Sequence, residues 1–191
     1  MLKRIRTEAL NLMNEKGINF TIADLAKQLG VSKRSIYDHF SSKVNLIEAV
    51  LNEILSDLQV QIQEIVNSQQ LNTIDKLSAL LTASPKALGP LSSRVIVDIK
   101  RKLPEQWNKF EYFFDARWQE IEKIIGLGIQ QKQFRTFDMR IVQQIYRGSI
   151  NELYEYQFLT QSNQTFQNAI AAMTDILIFG FIATDNRQPS N

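Results

Sequence analysis

Between residues 43 and 67, apolar side chains recur every three or four positions without a break. The repeating positions hold leucine, valine or isoleucine: Leu46, Val50, Ile54, Leu58, Ile62 and Ile65. This spacing lines one face of an α-helix of about seven turns. Only seven glycines and four prolines occur among the 191 residues, whereas strand-rich folds need many tight turns. The sequence therefore predicts an all-α fold of about nine helices.

Short polar residues and glycines mark where the first helices begin and end. The spacing of apolar residues predicts a first helix over residues 2–16, ended by Gly17. Thr21 is a good N-cap for the second helix, and Asp24 stands three residues later in a capping-box position. Gly30 is expected to end that helix in a left-handed conformation.

The same reasoning extends the prediction along the chain. Ser32 is expected to cap a third helix over residues 33–40, and Ser42 a fourth over residues 43–67. Gly30-Val31-Ser32 separates the second and third helices in a helix-turn-helix pattern. The remaining predicted helices cover residues 72–84, 91–102, 104–132, 138–160 and 163–184.

Several function classes are excluded by residue content. The absence of cysteine excludes disulfides, thiolate metal sites and cysteine nucleophiles, and His39 is the single histidine. No paired carboxylates stand out as an acid and base. We therefore expect no enzyme, no catalytic residue, no metal site and no cofactor. The N-terminus lacks an export signal and no stretch is long and apolar enough to span a bilayer, so we expect a cytoplasmic protein without membrane contact.

Charge is distributed unevenly along the chain. Residues 1–47 hold eight basic and four acidic residues, a net charge of +4, whereas residues 48–191 have a net charge of −2. A basic head on a mildly acidic body favours a polyanionic partner for the head.

Basic residues also open two of the predicted helices. Lys33 and Arg34 begin the third helix and Lys43 begins the fourth, although the positive end of the helix dipole disfavours cations there. A phosphate bound at those ends would make the same cations favourable. Further hydrogen-bonding side chains lie on the exposed face of the third helix: Ser35, Tyr37 and His39.

Residues 21–46 resemble the DNA-binding signature of the tetracycline-repressor (TetR) family of bacterial regulators. This chain has Val44 where the family usually has an acidic residue. The matching residues are Thr21, Ile22, Ala23, Gly30, Val31, Ser32, Ile36, Tyr37, His39, Phe40, Lys43 and Leu46.

The resemblance implies a helix-turn-helix DNA-binding domain over residues 1–47 and an effector-binding and dimerisation domain over residues 48–191. It implies a homodimeric transcription factor, most often a repressor, that binds palindromic double-stranded DNA and is released by a small molecule. One alternative is a transcriptional activator of the same fold. Another is a helical adaptor that binds a protein partner through its head.

Roles for the head residues follow from the resemblance. Thr21 and Lys43 are expected to hold phosphates, and Tyr37 and His39 to touch the DNA backbone. The candidates for base contacts open the third helix, with Arg34 preferred because arginine grips guanine through two bonds: Ser32, Lys33, Arg34 and Ser35.

The last two predicted helices are apolar on two faces, so each needs two partners. One partner is the helix's own core, and the other is either the rest of the same subunit or a second copy of the chain. The resemblance favours the second copy, as a four-helix dimer interface. The candidate interface residues are Ile145, Ser149, Leu153, Ala169, Ala172, Ile176 and Gly180.

An effector pocket is harder to predict, because aromatic stripes at helical spacing also form ordinary cores. Few charges fall within the apolar faces, which favours a neutral or apolar effector. The candidate pocket residues are Leu58, Ile62, Phe114, Trp118 and Tyr146.

Overall fold

The structure, a computed structural model, describes residues 1–153, 161 and 164–182. These residues form nine α-helices and one 3-10 turn, Gly17–Asn19, with no strand beyond an isolated bridge between Phe134 and Ile182. The expected all-α class is confirmed. The helices are α1 Leu2–Lys16, α2 Ile22–Leu29, α3 Lys33–Tyr37, α4 Lys43–Asn67, α5 Thr73–Thr82, α6 Ser93–Lys102, α7 Pro104–Gln130, α8 Met139–Leu153 and α9 Phe166–Phe181.

Four helices begin later than predicted: α8 begins at Met139 rather than Asp138, and in the other three a polar residue near the predicted start acts as the N-cap. The Asn72 side chain accepts a hydrogen bond from the N–H of Asp75 at 2.9 Å. Ser92 caps α6 and Thr165 caps α9 in the same way. An N-cap residue has non-helical backbone angles, so each helix begins at the residue that follows it. The predicted start at residue 163 lies outside the described residues.

Three helices end earlier than predicted. The third helix ends at Tyr37 rather than Phe40, because the His39 N–H bonds to the carbonyl of Ile36, three residues back, and tightens the chain. Helix α7 ends at Gln130 rather than Lys132, because Lys132 takes a left-handed conformation. Helix α5 ends at Thr82 rather than Ser84. The predicted ends at residues 160 and 184 lie outside the described residues.

Residues 1–61 and 84–114 form one compact unit. In it, α6 lies against the end of α1 and the 3-10 turn: the Asn14 side chain accepts from the Ser92 N–H at 2.7 Å, and Asp98 accepts from the Ile18 N–H at 3.1 Å. Gly17 has a φ of 70°, and a side chain there would overlap the Asp98 carboxylate. Glycine at this position therefore allows α6 to approach the turn.

A second compact unit contains residues 62–83 and the described residues from 115 onward. Helix α9 packs against α5 and α8 within it. Two side chains satisfy carbonyls in the last turn of α5, because Arg117 donates to the carbonyl of Leu80 and the Tyr146 hydroxyl donates to that of Leu81 at 2.9 Å. None of the helices in the described part of the chain is long and apolar enough to cross a bilayer.

These units divide the chain differently from the predicted domains. The predicted boundary between residues 47 and 48 falls inside α4, and α6 belongs with the N-terminal helices. The two compact units are defined by which residues pack together, whereas the predicted domains were defined by the roles expected of them. The functional division into residues 1–47 and 48–191 stays a prediction.

Candidate nucleic-acid interface

Helix α2 begins with the predicted capping box. The Thr21 hydroxyl oxygen accepts from the Asp24 N–H at 3.1 Å, and the Asp24 carboxylate accepts from the Thr21 N–H at 2.9 Å. The two backbone N–H groups are thus satisfied reciprocally. Hydrogen bonds from Thr21, backbone first, hold the pKa of Asp24 below its ordinary value.

The turn between α2 and α3 has the predicted left-handed glycine. Gly30 has φ 66° and ψ 34°, and the next N–H, from Val31, reaches back to the carbonyl of Ala26 at 3.0 Å. Ala26 and Leu25 are buried. These contacts fix the direction in which α3 leaves the turn.

Helix α3 presents a polar face with an apolar face behind it. Ile36 and Phe40 are buried. Ser32 caps the helix by accepting from the Ser35 N–H at 3.0 Å, and the two hydroxyls lie 2.9 Å apart. The remaining predicted DNA contacts on this helix and just after it are exposed: Lys33, Arg34, Tyr37 and His39.

The two cations that open α3 have no partner in the described part of the chain. Lys33 and Arg34 make no ion pair there, and the first turn of α3 contains no acidic residue. Their side chains therefore add positive charge to the positive end of the helix without local compensation. Such a surface is suited to bind an anion.

Lys43 is half-buried and already engaged. Its ammonium donates to the carbonyl of Phe20 at 2.7 Å and lies 5.1 Å from the centre of the Phe20 ring. Burial, and then the charge of Lys102, lowers the pKa of Lys43. An ammonium has three donors, so the bond to Phe20 leaves others for a phosphate.

Two contacts that support this head were missed. Arg6 of α1 forms an ion pair with Glu53 of α4 at 2.6 Å, and Lys102 of α6 contacts Asn19 at 3.4 Å. Each contact joins residues distant in sequence, so no local pattern could have signalled it.

Two of the predicted pocket residues are in contact within the second unit. The rings of Trp118 and Tyr146 lie 5.9 Å apart in the second unit, where Ile62 is also buried. Leu58 and Phe114 belong to the first unit. A pocket role for these five residues stays a prediction.

Beside Trp118 lies a buried cation that the sequence interpretation overlooked. Arg117 is 7% exposed and donates to the carbonyl of Leu80. Its position continues the apolar spacing of Phe110, Phe113 and Ile121. A basic residue within an apolar stripe was therefore the signal available in the sequence.

Helices α8 and α9 each leave apolar side chains exposed, including two predicted interface residues. Ile145 is 50% exposed and Ile176 is 71% exposed. Ile141 and Phe179 are exposed in addition, the latter at 80%. Of the other predicted interface residues, Ala172 and Gly180 are exposed, and Ser149, Leu153 and Ala169 are half-buried.

The chain is similar in sequence to known bacterial regulators. Residues 5–50 match the family model for bacterial regulatory proteins, tetR family. The chain is 28% identical over 185 residues to the HTH-type transcriptional regulator YvaF of Bacillus subtilis, covering 97% of each chain. It is 30% identical over 142 residues to the HTH-type transcriptional repressor KstR2 of Rhodococcus jostii, covering 69% of this chain and 68% of the repressor.

A solved structure has the same fold. The TetR family transcriptional regulator PfmR of Thermus thermophilus superposes with a TM-score of 0.70 at 23% identity, over 93% of this chain and 98% of that chain.

Replacing the cap of α3 tests its local geometry. Ser32→Ala removes the acceptor for the Ser35 N–H, so the free energy of unfolding should fall by about 1 kcal/mol. Ser35→Ala keeps the cap and should cost less than about 0.5 kcal/mol. Urea unfolding followed by circular dichroism measures both, and equal losses would contradict the assigned cap.

Proposed function

The chain belongs to the TetR family of bacterial transcriptional regulators, and we propose that it is a homodimeric repressor that a small molecule releases from a palindromic operator. The observation that carries the proposal is the pair of exposed cations at the start of α3, Lys33 and Arg34, which have no partner among the described residues. Their charge is explained if the helix enters the major groove of DNA.

The proposed DNA contacts divide into two groups. Thr21, Lys43, Tyr37 and His39 hold the backbone and orient the head on the duplex. The start of α3 reads base edges, with Arg34 on guanine and with smaller contributions from Ser32, Lys33 and Ser35. Residues 1–47 form the DNA-binding domain in this proposal, and no residue has a catalytic role.

A repressor is favoured because KstR2, which carries that name, is 30% identical over most of its length. Release would require a ligand in residues 48–191. The rings of Trp118 and Tyr146 are the candidate pocket residues that contact each other. The buried guanidinium of Arg117 is on α7, next to Trp118 in the chain. Because the operator is chromosomal, the proposal implies action in the cytoplasm.

Dimerisation is supported by the exposed apolar faces of α8 and α9. Ile145, Ile176 and Phe179 each expose half or more of their surface. Burial of these exposed fractions against a second copy would be favourable by about 25 cal/mol per Å² of apolar surface removed from water. Two heads held by one interface would match a palindrome.

Arginine 34 provides the sharpest test of base recognition. On an operator selected from genomic fragments, Arg34→Ala should cost about 1–3 kcal/mol of binding free energy and relax the preference at one base position. Fluorescence anisotropy with operator variants, each changed at one base pair, measures both effects.

Lys43→Ala is the matched comparison, because it removes a phosphate contact in the proposal. It should weaken binding to all variants alike and reduce the salt slope by about one unit. Its urea unfolding must be measured as well, since Lys43 also bonds to Phe20. The assignment of Arg34 is wrong if Arg34→Ala loses affinity equally for every sequence.

The dimer interface can be tested by placing a charge within it. Ile176→Glu should convert the dimer to a monomer, because an unpaired carboxylate would be buried between the subunits. Leu127→Glu changes another exposed aliphatic residue, on α7, to which the proposal assigns no dimer contact. Light scattering after size exclusion gives the masses. A dimeric Ile176→Glu or a monomeric wild type would refute this interface.

A further inference from the structure

The last turn of α6 is a basic patch outside the helix-turn-helix. It contains Lys100, Arg101 and Lys102, all exposed. The Lys100 ammonium lies 5.3 Å from the centre of the Trp107 ring. Arg101 makes no hydrogen bond or ion pair with the described residues. These cations complement the negative end of the α6 dipole.

The basic patch is held against the segment that precedes α2. Lys102 donates to the Asp98 carboxylate at 2.8 Å and to the side-chain oxygen of Asn19 at 3.4 Å. The other oxygen of Asp98 accepts from the Ile18 N–H. Lys102 therefore lies on the side of α6 that faces this turn, and Arg101 is exposed next to it in the chain.

A second ammonium reaches the same segment from α4. Lys43 donates to the carbonyl of Phe20, the residue after Asn19. The two lysines are close enough for the charge of Lys102 to contribute to the lowered pKa of Lys43. The ammonium groups of Lys43 and Lys102 therefore place two positive charges beside residues 19 and 20, immediately before Thr21. The two charges repel each other.

One carboxylate faces these cations from α6. Asp98 is paired with Lys102 and is also near Arg94. The group of Lys43, Arg101, Lys102 and Asp98 therefore retains a positive excess. Thr21 and Lys43 hold backbone phosphates in the proposed function, and the basic patch lies beside both.

We propose that the end of α6 extends the DNA-binding surface, with Lys102 and Arg101 attracting duplex phosphates that flank those held by Thr21 and Lys43. This inference rests on the proposed function. It adds a sequence-independent contact from a helix that lies outside the residues 5–50 matched by the family model. The contact contributes affinity and leaves base preference unchanged.

The test measures the salt dependence of binding by the full chain. The probe is a fluorescein-labelled duplex of random sequence and about three helical turns. Anisotropy gives its affinity between about 50 mM and 200 mM NaCl. Lys102→Gln is compared with wild type and with Lys102→Arg, which keeps the charge.

Lys86→Gln is the matched control. Lys86 is an exposed lysine whose N–H donates to Asp57 of α4 at 2.6 Å. Asp57 lies 14 residues beyond Lys43 on α4, which is about 21 Å along the helix axis. This control removes the same charge from the same unit at a distance from the basic patch.

Loss of one phosphate contact should lower the salt slope of Lys102→Gln by about 0.9. Its affinity deficit relative to wild type should then shrink about three- to fourfold between about 50 mM and 200 mM NaCl. Lys102→Arg and Lys86→Gln should keep the wild-type slope. Arg101→Gln, which breaks no contact among the described residues, should lower the slope as well and serves as the second variant if Lys102→Gln unfolds.

An unchanged slope in both Lys102→Gln and Arg101→Gln would overturn this inference, even if affinity or thermal stability fell, because a purely structural lysine leaves the slope intact. A wild type that fails to bind the duplex at low salt would overturn the proposed function, and this inference with it. If only the inference about α6 is wrong, the wild type still binds the duplex, so this result is distinguishable from failure of the proposed function.

Discussion

Burial of one apolar stripe along α4 is the constraint on which the rest of the structure depends. Leu46, Val50, Ile54, Leu58 and Ile62 are all buried, and each contributes about 1.5–3 kcal/mol relative to exposure. Helix α4 therefore supplies core residues to each of the two compact units, with Leu46 to Leu58 in the first and Ile62 in the second. The polar start of α4, where Lys43 reaches Phe20, is thereby held at the edge of the head.

The two cations that open α3 differ from the cations that are paired elsewhere in the described part of the chain. In the second unit, two arginines pair with carboxylates: Arg147 with Asp115 at 3.1 Å, and Arg140 with Asp138, whose pKa it lowers to about 2 through hydrogen bonds. Lys33 and Arg34 have no such partner among the described residues. Leaving them unpaired at a helix start is unfavourable for the isolated chain, and the proposed binding of phosphate would give the placement a function.

Local features were predictable from the sequence, and long-range features were not. Thr21, Gly30 and Ser32 bond only to residues within the same or the adjacent helical turn, so their capping roles followed from sequence alone. The end of α7 depends on the left-handed Lys132, after which the N–H of Phe134 returns to the carbonyl of Gly128. No propensity for helix formation signals that turn.

The candidate site divides in the same way. Spacing identified the exposed face of α3, whereas the position of Lys102 beside Asn19 depends on the packing of α6 on the turn after α1. Arg117 was not predicted to be buried because only apolar residues were counted on the buried face of α7. The spacing of Phe110, Phe113 and Ile121 nevertheless includes position 117. Contacts between distant residues therefore determine which charged side chains are available to a ligand.

Selection of bound duplexes from a random-sequence pool by the purified protein tests the central claim most directly. The account predicts enrichment of a palindrome whose half-sites are separated by about one helical turn or a multiple of it. Recovery of a pool indistinguishable from the input, even at low salt, would contradict it.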